Sequence, residues 1–103
     1  MNPLIERHRD EIDRLCRQHR VRRLEVFGSC AQEGRFRPEE SDLDFLVEFL
    51  PLAAGRYADA YFGLLEGLQE LFQRPVDLVV RRAIRNRYFL EKINESSSLV
   101  YAA

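Results

Sequence analysis

Cysteine is scarce in this chain of 103 residues, which contains only Cys16 and Cys30 and no CxxC pair. A disulfide framework or a zinc site needs paired or clustered cysteines, so we expect both thiols to be reduced, as is usual in the cytosol. No hydrophobic run approaches the roughly 20 apolar residues of a membrane span. The N-terminal stretch MNPLIERHRDEIDRL lacks the apolar core of a signal peptide. These absences favour a cytoplasmic protein without membrane attachment.

The chain also lacks a strong net charge and has almost no lysine. Its formal net charge is −1, and its basic residues are 15 arginines and Lys92. A domain that binds nucleic acid is normally clearly basic, so we do not expect direct nucleic-acid binding. Arginine suits bidentate contacts with phosphate or carboxylate, but genome composition is an equally adequate explanation of the bias.

Hydrophobic periodicity predicts one domain, residues 1–103, in which helices and strands alternate. The predicted elements are a helix from Pro3 to about residue 19, strands at 22–28, 42–50 and 75–80, helices at 55–73 and 81–93, and a C-terminal edge strand or packed tail, SLVYAA. This order predicts an α/β fold with a small mixed sheet packed by helices. Gly63 and Gly67 lie four residues apart inside the second long helix, where we expect them to allow close packing on the sheet.

Three aspartates are predicted to share one face of that sheet. Residues i and i+2 of a strand point the same way, so Asp42 and Asp44 project together, with Cα atoms roughly 6.5–7 Å apart. Asp77 is the sole polar residue of PVDLVV, and it can join them if the two strands are neighbours. Such an all-oxygen site suits Mg²⁺ or Mn²⁺ rather than zinc. The alternative is a set of turn, surface and edge charges, but an unpaired buried carboxylate would cost several kcal/mol.

A Gly28-Ser29 pair follows the first predicted strand. Glycine lets a phosphate approach the backbone closely, and Ser29 offers a hydroxyl at the start of a short helical turn, where amide groups bind anions. The pair alone is common in turns. Its combination with DxD on the next strand and an aspartate inside a third strand is much more specific for nucleotide chemistry.

The run FGS…SDLDFLVEF…VDLVV resembles the nucleotidyltransferase superfamily with a DNA polymerase β-type core, and more closely the minimal nucleotidyltransferase (MNT) antitoxins. The resemblance implies that Gly28 and Ser29 hold the triphosphate of ATP and that Asp42 and Asp44 bind two Mg²⁺ ions. It implies that Asp77 is the third metal ligand, placed beneath the attacking hydroxyl and able to act as its base. Such antitoxins silence HEPN ribonuclease toxins, encoded beside them, by transferring AMP to a toxin tyrosine. A hetero-oligomer with a HEPN toxin is therefore expected.

The chain departs from the family pattern between the Gly-Ser pair and the first aspartate. The intervening segment, residues 30–41, has twelve residues and is longer than usual in the family. Gln32 stands where an arginine is common. The same segment contains Arg35 and Arg37, which we expect to replace the missing guanidinium at the nucleotide.

Two other functions fit the same residues. One is an antitoxin that neutralises its toxin by binding alone, and the other is a nucleotide-binding regulatory module without transfer activity. The chain is short for the extra domains with which polymerases and tRNA-modifying relatives hold nucleic acid, which favours a protein acceptor. The arginines at 81, 82, 85 and 87 are either a docking site for an acidic partner or a solvated helix face.

Overall fold

The computed structural model describes residues 3–28 and 42–103. Within these ranges the helices are α1 (Pro3–Arg7), α2 (Arg9–Gln18), α3 (Tyr57–Phe72) and α4 (Arg87–Ser96), with a 3₁₀ turn at Arg81–Ala83. The strands are β1 (Val21–Phe27), β2 (Leu43–Phe49), β3 (Val76–Val80) and β4 (Ser98–Ala102). The predicted α/β class is confirmed. None of the described helices is long and apolar enough to cross a lipid bilayer.

The strands form a mixed sheet in the order β3-β2-β1-β4. β1 pairs antiparallel with both β2 and β4, whereas β2 and β3 are parallel. A parallel pair needs a long crossover, and α3 provides it here. The C-terminal segment is therefore an outer strand, one of the two alternatives that the sequence left open.

The core lies between one face of the sheet and helices α2 and α3. Alternate residues of β1 and β2 point into it, as their apolar pattern predicts. The helices contribute residues spaced along one side. Fully buried members of this core include Ile12, Cys16, Leu24, Val26, Leu43, Phe45, Val47, Leu64 and Leu68. Burial, followed by the charge of Asp13, raises the pKa of the Cys16 thiol to about 12, so this free cysteine stays protonated and unreactive.

Two helices differ from the prediction at their boundaries. The N-terminal helix is interrupted at His8, whose backbone leaves the helical region (φ −107°, ψ 18°). The His8 ring meets Phe72 edge-on, with 5.3 Å between the ring centroids. The helix predicted from position 81 is instead a 3₁₀ turn, and α4 starts later because Asn86 caps it by accepting a hydrogen bond from the Phe89 amide at 3.1 Å.

The expected role of Gly63 and Gly67 in helix-on-sheet packing is wrong, because both glycines face α2. A Cβ atom at Gly63 would overlap the His19 ring, and one at Gly67 would lie 2.6 Å from Leu15 Cδ2. Real Cβ atoms do not approach other atoms so closely. The two glycines therefore bring α3 close to α2 and the turn that follows it.

Helix side chains also bond to the outer strands of the sheet. The Tyr61 hydroxyl of α3 donates a hydrogen bond to the Leu78 carbonyl of β3 at 2.7 Å. On the other side, Arg9 Nη1 of α2 donates to the Val100 carbonyl of β4 at 2.8 Å. Each bond ties a helix on the core side to an outer strand.

We expect Gly67→Ala to lower the free energy of unfolding. Alanine favours a helix by about 1 kcal/mol over glycine, but overpacking a tight contact costs about 1–3 kcal/mol. In a Leu15→Ala background the obstructing methyl groups are gone, so the same change should raise the free energy of unfolding. Urea denaturation of the four variants in this cycle measures both effects. Stabilisation by Gly67→Ala in the otherwise unchanged chain would contradict the close contact.

Candidate functional site

Asp44 and Asp77 are direct neighbours across the parallel β2–β3 pair. Adjacent strands lie about 4.8 Å apart, so their backbones hold the two residues side by side. The flanking residues Leu43, Phe45 and Leu78 are buried in the core. Because side chains alternate along a strand, Asp44 and Asp77 project from the opposite face of the sheet. The structure thus brings together two of the three predicted carboxylates.

Asp42 lies immediately before β2 and is exposed. Its charge nevertheless reaches Asp44. Burial raises the pKa of the Asp44 carboxyl, and the charges of Asp77 and Asp42 raise it further. The three carboxylates therefore share one electrostatic environment, in which the ionised form of Asp44 is disfavoured.

Gly28 packs directly against Asp44. It follows β1 and adopts a positive φ of +70°, a conformation that favours glycine. A Cβ atom at this position would lie 2.7 Å from Asp44 Oδ2. Both its conformation and its contact therefore favour a residue without a side chain. The other predicted nucleotide-binding residues, Ser29, Arg35 and Arg37, lie outside the described residues.

The donor atoms at this site suit a hard cation. Asp42, Asp44 and Asp77 offer only carboxylate oxygens, which Mg²⁺ and Mn²⁺ prefer. In the parts of the chain that the structure describes, no three histidine, cysteine or acidic side chains are close enough to enclose an ion by themselves. Magnesium is commonly held by one or two carboxylates together with substrate phosphates rather than by a cage of protein ligands. The residues present fit that mode of binding.

Glu25 is a buried carboxylate near the site that the sequence reasoning missed. It projects from the same face as Asp44, and it lies one row further along the sheet, opposite Leu46. Its side chain accepts a hydrogen bond from Arg23, and Arg81 Nη2 lies 3.7 Å from its Oε1. Burial acts to raise the pKa of Glu25, but hydrogen bonds from Arg23 and Ser97 and the charges of Arg23 and Arg81 outweigh it and lower the pKa.

Arg81 connects Glu25 to the helix on this face. Its Nη2 also donates to Asn94 Oδ1 of α4 at 2.8 Å. The link joins β1, the turn after β3, and α4, so it ties α4 to the strand that carries Glu25. Alternation along β1 predicts an exposed glutamate at position 25. The one signal in the sequence was that Glu25 follows Arg23, a residue of opposite charge, by two positions. Its other partners, Arg81 and Ser97, are distant in the chain, and the strand pattern does not show them.

Comparison with known proteins gives consistent results. Residues 6–101 match the family model described as a nucleotidyltransferase domain. The chain is 32% identical over 84 residues to a candidate protein adenylyltransferase of Methanocaldococcus jannaschii, a match that covers 82% of this chain and 79% of the relative.

Solved structures share the fold. A candidate minimal nucleotidyltransferase superposes with a TM-score of 0.74 at 32% identity, and 95% of each chain is covered. A crystal structure of a toxin–antitoxin with AMP-PNP superposes with a TM-score of 0.68 at 21% identity, covering 92% of this chain and 73% of that one. With a family model that matches nearly its whole length, this chain belongs to the nucleotidyltransferase domain family.

Proposed function

We propose that this chain transfers AMP from ATP to a tyrosine hydroxyl of a partner HEPN ribonuclease toxin, and that it acts as the antitoxin within a complex of the two proteins. The observation that carries the proposal is the pairing of Asp44 with Asp77 beside Gly28. Two carboxylates side by side repel each other, and they bring no stability to a fold. Their placement is useful when cationic and phosphate groups bind between them.

The relatives support the nature of the reaction and the partner. The Methanocaldococcus jannaschii relative is described as a candidate protein adenylyltransferase, which favours a protein acceptor for AMP. The toxin–antitoxin structure with the same fold contains AMP-PNP, which favours an adenine nucleotide and a toxin partner. The resemblance of the motifs to MNT antitoxins favours a HEPN toxin and a tyrosine.

In the proposed reaction the acceptor oxygen attacks the α-phosphorus of ATP in line with the leaving group. A new P–O bond forms to the acceptor, the bond between the α- and β-phosphates breaks, and pyrophosphate leaves. Asp77, more exposed than Asp44, accepts the proton of the attacking hydroxyl. Because Gly28 has no side chain, the backbone at the end of β1 comes close to the Asp44 carboxylate, and it can approach a phosphate bound there equally closely.

Asp42, Asp44 and Asp77 are the residues that would hold Mg²⁺ or Mn²⁺. When bound, two such ions supply charge neutralisation for the triphosphate and for the leaving pyrophosphate. The carboxylates would hold the bound ions in a fixed position, because β2 and β3 hold Asp44 and Asp77 in register. The protein thus contributes positioning and electrostatics rather than covalent chemistry.

Replacing any one of the three aspartates by asparagine should reduce AMP transfer at least about a hundredfold, because several kcal/mol of charge stabilisation is lost. Transfer is measured as the incorporation of label from ATP into the purified partner, whose mass should increase by that of AMP in mass spectrometry. Asp59→Asn is the matched control, since this exposed aspartate lies in the first turn of α3. Full labelling by Asp44→Asn or Asp77→Asn would contradict the proposed role. Neutralisation of the toxin without a mass change would indicate an antitoxin that acts by binding alone.

Asp44→Asn should also raise the free energy of unfolding at neutral pH when divalent cations are removed with a chelator. The folded-state pKa of Asp44 is raised above the ordinary value of 3.8, so its ionised form destabilises the fold at higher pH. Below that ordinary value the carboxyl is neutral in both states, and the advantage of the variant should disappear. Urea denaturation between pH 3 and pH 7 measures the difference. A gain that is constant across this range would contradict the electrostatic origin.

Gly28→Ala should impair transfer, whereas Gly55→Ala should not. Both glycines have positive φ, so each substitution costs about 1 kcal/mol or more of folding free energy. A Cβ at Gly28 presses on Asp44 Oδ2, but one at Gly55 meets no atom within 4 Å. Transfer rates and urea denaturation of the two variants separate backbone strain from contact with the site. Equal transfer rates in both would contradict the role of Gly28.

A further inference from the structure

Two adjoining grooves lie at the end of β2 opposite to Asp44. The first, which we name the aromatic groove, has a volume of 420 Å³ and is lined mainly by Phe49, Tyr57, Tyr61, Phe62, Val80 and Ala83. The second, the arginine groove, has a volume of 460 Å³ and contains Arg22, Arg81 and Arg82, with Glu48 among them. Phe49, Tyr57 and Arg82 line both grooves. The two therefore form one continuous surface with an apolar half and a basic half.

The aromatic groove is held in shape by hydrogen bonds. The Tyr57 hydroxyl accepts from the Leu52 amide at 3.3 Å and from Arg82 Nη1 at 3.4 Å. The Arg82 guanidinium also lies over the Tyr57 ring, 5.4 Å from its centroid. Because the Tyr61 hydroxyl is bonded to the Leu78 carbonyl, the second ring is fixed as well. Such walls lose little conformational freedom when a ligand binds.

Phe62 forms the exposed part of this wall. It packs edge-on against Tyr61 at 5.1 Å, yet 56% of its surface remains accessible. A large exposed aromatic beside immobilised tyrosines and arginines has the composition of an interaction hot spot. Its exposure to water offers no benefit to the isolated chain.

We propose that this surface docks the protein acceptor of the reaction, through a segment that places an apolar side chain in the aromatic groove and carboxylates in the arginine groove. The inference rests on the proposed function, since it assigns a docking site to that acceptor. Phe49 is five residues from Asp44, or about 16 Å along β2. A bound partner would therefore be held beside the transfer site without covering it.

Charge favours an acidic protein segment over a nucleic acid. Arg81 is already paired with Glu25. Arg22 and Arg82 still outnumber Glu48 in the basic half, so carboxylates find a complementary surface there. A nucleic acid would have to place its phosphate backbone against the almost wholly apolar wall of the other half, which an apolar side chain of a protein fits instead. The net charge of −1 adds no general attraction for nucleic acid.

The test measures the affinity of the purified partner, encoded by the neighbouring reading frame, for this chain by titration calorimetry. All chains carry Asp44→Asn so that no transfer occurs during the titration. Phe62→Ala and Arg82→Glu should each raise the dissociation constant for the partner tenfold or more. Phe89→Ala and Arg17→Glu are the matched controls, because they change an exposed phenylalanine of α4 and an exposed arginine of α2 outside both grooves. In the transfer-competent chain, the KM for the partner should rise with the same variants.

Several outcomes would overturn the docking site. They are unchanged affinity in both groove variants, an equal loss in the controls, or no binding of the partner by the Asp44→Asn chain. If the groove variants kept their affinity for the partner but lost affinity for a single-stranded RNA probe, the surface would be assigned to nucleic acid. If they instead changed the sedimentation of the chain alone, it would be assigned to a second copy of the chain. Absence of AMP transfer with groove-dependent binding would contradict the proposed function and leave the docking site standing. AMP transfer to a partner whose binding does not depend on the grooves would support the proposed function and contradict the docking site.

Discussion

The register between β2 and β3 is the constraint on which the site depends. A shift of one residue would turn Asp44 or Asp77 towards the core, since successive side chains of a strand point to opposite faces. The buried neighbours Leu43, Phe45 and Leu78 prevent this shift, because they would have to leave the core. The repulsive pair is thus held by the hydrophobic residues between which it lies.

Neighbouring residues also fix the other groups on the sheet face that carries Asp44. Gly28 reaches Asp44 because β1 and β2 place Phe27 opposite it, and the chain then turns with a positive φ. One row away, Glu25 is compensated by its arginine partners, whereas Asp44 has only negative neighbours among the charges that shift its pKa. The face therefore contains one neutralised acid with a structural role and one unneutralised group of acids suited to binding cations.

The sequence predicted the strands from their apolar alternation, whereas the common face of Asp44 and Asp77 also needed β2 and β3 to be neighbours, which the sequence left as a condition. It did not predict what depends on contacts between distant elements. The role of Gly63 and Gly67 was assigned to the sheet because the pattern gives the spacing of a helix face but does not identify its neighbour, which is α2. The break at His8 and the late start of α4 have the same origin, since the Phe72 contact and the Asn86 cap become visible only in three dimensions. Glu25 was missed because its partners Arg81 and Ser97 are far from it in the sequence.

The hydrogen bonds from Tyr61 and Arg9 to the outer strands bear on how this small protein persists in a crowded cell. An unprotected strand edge is a template on which another chain can extend the sheet, and such growth leads to aggregation. Here one carbonyl of β3 and one of β4 are already engaged by helix side chains. Each of these bonds occupies a backbone acceptor of an outer strand, so fewer free acceptors are left there to pair with another chain.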